Sequence, residues 1–395
     1  MNFILFDDER AAQFLPFTHT RPLSEVRCGI WTLREKWEHI TSVVPSYECA
    51  PQLQALYPKV VLQSNIFINS ACYPNDQLFA SILELKPNQS LLFGNILVAT
   101  HLNAEQAKTF SVSDAVLNTE TVHYSGAIRF LENCWDIFSH NAENIAEDFE
   151  KITRNKTSQK PSDTNTLIGE NLFIEEGAQV EGAILNSTTG PIYIGRNAEV
   201  MEGSVVRGAL ALCENSVLKL STKIYGATTI GPGSKVGGEV NNSVFFQNSN
   251  KGHDGFLGNA VIGEWCNLGA DTNNSNLKNN YDEVRIYSEA KETFVKTGLQ
   301  FCGLFMGDHS KCGINTMFNT GTVIGVSANI FGGGFPRNFI PSFSWGGSSG
   351  LTEYKLEKAI STAARVLARR NKEMTPHDQA LFQHVFDQTQ SQRNA

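Results

Sequence analysis

Beginning at Ile194, an aliphatic residue recurs at every sixth position through Val200, Val206, Leu212, Leu218, Ile224, Ile230 and Val236. The beat also occurs at Ile168, Ile174 and Val180, at Ile262 and Leu268, and at Met306, Cys312, Phe318, Ile324 and Ile330. A helix with this period would throw successive aliphatics onto opposite faces, and a strand would need alternation. Small residues stand four places after many of the aliphatics (Ala178, Ala198, Ser204, Ser216, Ser234, Ala328), and glycine often follows directly. This hexapeptide repeat predicts a left-handed parallel β-helix. In such a prism each side takes one hexad, the aliphatic residue points inward, and the small residue fills the corner. Successive coils pair as parallel strands ~4.8 Å apart.

The beat fails at 242–256 and 279–304, and both segments are expected to protrude as loops, where solenoids commonly bind ligands. Residues 1–150 read as α/β: "NFILF", "KVVLQ", "NIFIN" and "SLLFGNILVA" are strand candidates. Within "LSEVRCGIWTLREKWEHI" a helix would align Ile30, Leu33, Trp37 and Ile40. Residues 151–166, "KITRNKTSQKPSDTNT", have the polar composition of a linker. The expected order is therefore α/β at 1–150, linker at 151–166, β-helix at 167–350 and a helical tail at 351–395. In the tail, Leu356, Ile360, Ala364 and Leu367 mark an amphipathic stripe, and "TPHDQALFQHVFD" marks a second helix whose His377 and His384 read as surface or packing residues.

With 41% apolar and 18% charged residues the chain has the composition of a soluble protein. The apolar run in "NFILFDDER" is too short for a leader or an anchor, so a cytoplasmic location and no membrane partner are expected. Eight cysteines form no CxxC pair and read as reduced and structural. A net charge of −8 argues against nucleic acid as a partner, while leaving room for a small anion held by one or two cations.

Residues 250–276, "NKGHDGFLGNAVIGEWCNLGADTNNSN", carry Gly252-His253, Gly258-Asn259, Ile262-Gly263, "NLGADT" and Asn276. These resemble the acetyltransferase half of the bifunctional N-acetylglucosamine-1-phosphate uridylyltransferase/glucosamine-1-phosphate acetyltransferase family. "SNLKNNY" and "MGDHSKCGIN" resemble archaeal sugar-1-phosphate nucleotidylyltransferase/acetyltransferases, and the whole chain resembles Bacteroidetes proteins with shortened versions of both halves. The resemblance implies acetyl-CoA as acyl donor, His253 as general base, and Arg207, Lys223 and Asn276 as grips for an amino-sugar phosphate. Lys251 offers an alternative phosphate partner, Lys311 or Arg337 would meet the CoA phosphates, and His309 is a candidate cleft residue. The chain has Phe256 where the family has tyrosine.

"LFDDERAAQFLPFTHTRPL" resembles the opening strand and phosphate-gripping loop of a reduced nucleotidyltransferase domain, but lacks its Gly-x-Gly-Thr. Arg21 would then contact an NTP, and Asp7 and Asp8 would hold Mg²⁺. The leading expectation is a CoA-dependent N-acyltransferase acting on an amino-sugar phosphate, assembled as a homotrimer. The alternatives are a sugar-1-phosphate nucleotidylyltransferase and a non-catalytic binder of nucleotide sugars.

Overall fold

The computed structural model describes residues 1–393, which divide into two compact units. The first comprises Met1–Phe14, Thr20–Val26 and Trp31–Cys134; the second takes Leu15–His19, Arg27–Ile30 and the chain from Trp135 onward.

The first unit is built on a mixed six-stranded sheet of β1 (Asn2–Phe6), β2 (Ser46–Glu48), β3 (Ser64–Asn69), β4 (Gln89–Phe93), β5 (Ile96–Asn103) and β6 (Glu120–His123), in the order β2-β1-β3-β5-β4-β6. Strands β1, β2 and β3 are parallel, and β5 runs antiparallel to both β3 and β4. Ile4, Phe6, Phe67, Leu92, Leu97 and Leu102 form its core. "KVVLQ" is no strand, and its Val60 and Leu62 are exposed. The helix expected in 23–40 is confined to Leu33–Thr41, because Thr32 and Glu35 close a capping box that fixes its start. Ile30 therefore lies outside it, and Trp37 anchors it by an indole N–H donated to the Cys72 carbonyl at 2.9 Å.

The second unit contains the β-helix, whose three faces are parallel sheets. The second face holds nine rungs, from Leu172–Ile174 to Phe339–Ile340. Ile194, Val200, Val206, Leu212, Leu218, Ile224, Ile230 and Val236 are all buried in one continuous core. Three places after many inward aliphatics the chain turns through a left-handed conformation, at Asn197, Asn215, Asn248, Asp271 and Asn315 among others. Asparagine and aspartate tolerate that backbone better than most residues, which is why they punctuate the repeat.

At the corner between the second and third faces three bulky residues break this preference: Trp265, His309 and Phe343 all have positive φ. The terminal helices Leu356–Ala368 and Pro376–Gln388 dock here, with Phe382 edge-on to His309 at 5.1 Å and to Phe343 at 6.0 Å. Lys372 lies over Trp265, and Arg370 donates to the Gly233 carbonyl at 2.8 Å. His309 is thus a packing residue of this seam. The buried stripe of the first helix is Leu356, Ala359, Ala363 and Leu367, rotated from the expected one.

The two expected loops differ. Residues 285–296 do leave the prism, as the antiparallel hairpin Arg285–Ser288/Thr293–Lys296. Residues 242–256 do not: Val244–Phe245 and Asn250–Lys251 pair in register with Thr229–Ile230 and Lys235–Val236. This rung is short at its corners, so Val240, Phe245, Lys251 and Leu257 take the inward positions at uneven spacing.

The stretch expected as a linker begins within the helix Asn141–Thr153 and then lies along the first coil. Gln159 N–H donates to the Ile174 carbonyl at 2.8 Å, and Asn165 bonds Val180 and Ala183 at 2.8 and 2.9 Å. Its polar side chains occupy groups that an open sheet edge leaves unpaired. No helix among the described residues is long and apolar enough to cross a membrane.

Candidate active site

Lys251 ends a strand of the third face, Phe256 opens one of the first face, and His253 falls on the corner between them. Rung by rung this corner carries Leu220, Gly238, His253, Ala270 and Ile314, as the registers Leu218↔Val236, Val236↔Lys251, Asn250↔Asn267 and Leu268↔Cys312 require. His253 therefore stands between two small residues, Gly238 and Ala270, with Leu220 and Ile314, 62% and 69% exposed, beyond them. Its side chain is exposed, and its one hydrogen bond among the described residues is through the main-chain carbonyl. Gly238 has φ +76, and a Cβ there would lie 2.9 Å from that carbonyl. Only glycine fits so close a rung.

Asp254 and Asp271 flank the histidine on this edge. Asp271 N–H donates to the Asp254 carbonyl at 2.9 Å, and Asn273 accepts from Phe256 N–H at 2.8 Å. The arrangement presents an accessible imidazole on a fixed main chain, with space above and below for a ligand. It suits proton transfer to or from a bound amine or hydroxyl.

Along the first face, Lys223 and Phe256 share a column with Glu239 between them, which places Lys223 two rungs, or ~10 Å, away. Glu239 accepts from Tyr225 Oη at 2.6 Å and lies 3.8 Å from Lys223 Nζ, so a phosphate must compete with this carboxylate for the lysine. Arg207 is exposed in the adjoining column, three rungs or ~14 Å from Gly258. Asn276 stands at the opposite edge of the same face. Its amide donates to Asn259 Oδ1 at 2.8 Å, and Asn259 donates in turn to Asn242 at 3.0 Å once the Asn242 amide is turned to satisfy its neighbours. It is the top of an asparagine ladder that fixes this corner.

Lys251 is placed differently from the expectation. It is 1% exposed and points into the prism between Val236 and Leu268, because the shortened rung brings it into the inward register. Its ammonium donates to the carbonyls of Gly237 and His253, both at 2.9 Å, and burial pushes its pKa down to about 8. So enclosed, it is not a phosphate partner. Counting the six-residue beat backward from Leu268 lands on Ile262, Phe256 and Asn250, so the corner one residue short between Leu257 and Ile262 hides the inward register of Lys251.

Lys311 lies on the third face beneath the first terminal helix, in contact with a small gap lined by Tyr354 and Ala363, and donates to the His309 carbonyl at 2.8 Å. Burial lowers its pKa. Arg337 borders a cleft of about 140 Å³ with Ser344, Thr352 and Arg393 at the far end of the solenoid. The two do not converge as a single phosphate site, and neither shares the His253 corner.

In the first unit, Asp7 and Asp8 follow β1. Leu23 N–H donates to both Asp7 oxygens at 3.2 Å, and burial raises the Asp7 pKa to about 7, opposed in part by that backbone bond. Asp8 is held by Arg10 and by Asn69 Nδ2 at 2.8 Å. Burial opposes ionisation of Asp8, yet these hydrogen bonds leave its pKa below the usual range. A carboxylate already paired with arginine beside one that protonates readily does not fit a divalent cation as arranged. No group of three or more metal-ligating side chains occurs among the described residues. Arg21 is 3% exposed.

The Asp7 shift has a testable sign. A carboxyl whose pKa is raised by folding contributes stability below its unfolded value, and that contribution is lost as pH rises through about 7. Between pH 5 and pH 8 the urea midpoint of the first unit should therefore fall. Asp7→Asn should flatten that fall, read by the fluorescence of buried Trp37.

Residues 3–157 match a family described as sugar nucleotidyl transferase. The chain is 29% identical over 172 residues to a bifunctional sugar-1-phosphate nucleotidylyltransferase/acetyltransferase of Sulfurisphaera tokodaii, covering 43% of this chain and 40% of that protein. It is 28% identical over 196 residues to the bifunctional protein GlmU of Methanococcus maripaludis, covering 50% of this chain and 41% of that protein. It thus spans about two fifths of these relatives' length. Among solved structures, the polysialic acid acetyltransferase NeuO is 14% identical with a TM-score of 0.28, over 53% of this chain and 94% of that one. The amino-terminal part of the chain therefore carries the sugar nucleotidyl transferase family's pattern, in a protein similar along part of its length to bifunctional nucleotidylyltransferase/acetyltransferases.

Proposed function

We propose that the β-helix is a CoA-dependent N-acyltransferase whose acceptor is an amino-sugar phosphate. The observation that carries this reading is the accessible His253 imidazole, set between Gly238 and Ala270 on a corner fixed from inside the prism. The acyl donor supplies a thioester carbonyl. His253 takes the proton that the acceptor nitrogen sheds as it attacks, and neutral imidazole is the side chain suited to this near pH 7. Lys223 and Arg207, on the face that the histidine borders, are cations for the acceptor's phosphate, and Asn276 marks its far edge. Lys311 and Arg337 remain candidates for the CoA phosphates only if each acts separately. Acetyl transfer from acetyl-CoA to glucosamine 1-phosphate, followed by free-thiol release, tests the reading; no thiol release with any amino-sugar phosphate rejects it.

The column Leu220, His253, Ile314 has apolar exposed ends, and Met317 on the first face is 37% exposed. Such flanks suit a neighbouring prism, so a homotrimer that closes the cleft is part of this proposal. Light scattering should give three times the 43.5 kDa chain mass; the mass of one chain at micromolar concentration rejects it.

A second reading, nucleotidyl transfer from an NTP to a sugar 1-phosphate, is favoured by the family match of residues 3–157. Pyrophosphate release from UTP or dTTP with Mg²⁺ and sugar 1-phosphates would support it. The Arg10-paired Asp8 and the missing glycine loop weigh against it and toward a domain that binds nucleotide sugars without turnover.

A further inference from the structure

The column of inward residues on the third face runs Val200, Leu218, Val236, Lys251, Leu268, Cys312 and Ile330. Every member but one is a hydrophobe or a thiol. An ammonium in this stack opposes the hydrophobic rule of the fold, and such local violations gather at functional sites.

The corner itself accounts for the partners that Lys251 makes. In an ordinary corner of this solenoid, the carbonyl after the inward residue is bonded by an N–H three places on, as Lys219 is by Thr222 and Gly269 by Thr272. From Val236 to Val240 the corner is too short for that bond. The Gly237 carbonyl accepts from Lys251 Nζ instead. The same ammonium reaches across the rung to the His253 carbonyl, at the same 2.9 Å. One buried cation thus ties the shortened corner to the turn directly above it. In that turn, Gly252-His253-Asp254-Gly255, both central side chains are exposed, and apart from Lys251 it is held by main-chain bonds at Asp254 and Gly255.

We infer that Lys251 is a positioning residue for His253: its ammonium, bonded to the carbonyls of Gly237 and His253 inside the prism, fixes the main chain that presents the imidazole. It touches neither acceptor nor acyl donor. The inference rests on the acyl-transfer reading of His253. The charged and titratable groups that face the ammonium are Asp254 on its own turn, Asp271 on the next rung and the Cys312 thiol in the same stack.

The test replaces Lys251 with methionine, which keeps the stem and removes the donors, and with glutamine, which keeps a shorter donor. In Lys251→Met, kcat for acetyl transfer should fall by about 10- to 100-fold with acceptor KM within about 3-fold, the signature of a misplaced group rather than a lost binding contact. Lys251→Gln should recover part of that loss, and it carries the test if the methionine variant does not fold. Hydrogen exchange supplies a readout apart from activity. The amides of Glu239 and Asp271, which donate to Gly255 and Asp254 of the turn, should exchange at least about 10-fold faster in Lys251→Met. Wild-type kcat in Lys251→Met, or unchanged exchange at both amides, overturns the inference while His253 stands as base. If the wild-type protein shows no acyl transfer, the reading of His253 fails, and the exchange measurement still decides whether Lys251 holds the turn.

Discussion

Replacing His253 with alanine should lower kcat for acyl transfer by about 10²- to 10⁴-fold while changing acceptor KM little. The side chain makes no hydrogen bond within the described chain, so its removal leaves no buried partner unsatisfied and should shift stability by less than about 0.5 kcal/mol. A large kinetic effect without a stability effect separates a working base from a residue that shapes the corner. His253→Gln sharpens the measurement, since glutamine retains a polar side chain but takes up no proton near neutral pH. Both variants should be assayed from pH 6 to pH 9 with saturating acetyl-CoA. Turnover within about 3-fold of wild type in either would remove His253 from the mechanism. Gly238→Ala is the complementary variant: its Cβ would press on the His253 carbonyl at 2.9 Å and should displace an intact imidazole.

Why one part of this site can be read from the chain and another cannot follows from how the prism stores its register. An interior that admits one aliphatic side chain per face repeats with a fixed period wherever the corners are full length, as from Ile194 to Val236. A corner can lose residues without disturbing the sheets, since pairing depends only on the strands. The sequence then looks irregular while the structure continues, and 242–256 reads as a loop although it forms a rung. Lys251 is hidden for the same reason. A lysine beside a histidine suggests a surface pair until the shortened corner turns it inward.

Polar composition misleads in a second way at 151–166. Glutamine, serine and asparagine usually mark solvent, but Gln159, Ser158 and Asn165 here hydrogen-bond the first coil in place of a missing strand. The terminal helices leave a trace only in hindsight, where bulky Trp265, His309 and Phe343 stand at a corner that elsewhere takes asparagine, glycine or serine. At Asp7 and Asp8 the residue types suggested a metal, but pairing with Arg10 depends on a local turn that composition does not encode.

The short rung also concentrates the largest expected stability effect. Phe245 is fully buried in it, and its register partners are Ile230 below and Ile262 above. Phenylalanine fills the interior here where neighbouring rungs use isoleucine. Phe245→Ala would leave a cavity bounded by sheets that cannot close without breaking their parallel pairing, so the cost should approach the upper part of the usual range, about 3–5 kcal/mol. An exposed position of the same solenoid gives the contrast. Val205 is 43% exposed, and Val205→Ala should change stability by less than about 0.5 kcal/mol. Because each rung of a solenoid contacts only its neighbours, the loss should appear as earlier unfolding of the rungs around 240–262 rather than a uniform weakening. Hydrogen exchange at Gly231, whose N–H bonds the Phe245 carbonyl, and at Val261 should locate it. A urea midpoint equal to that of Val205→Ala would mean that the shortened rung is not packed around Phe245, and the inward register of Lys251 would fall with it.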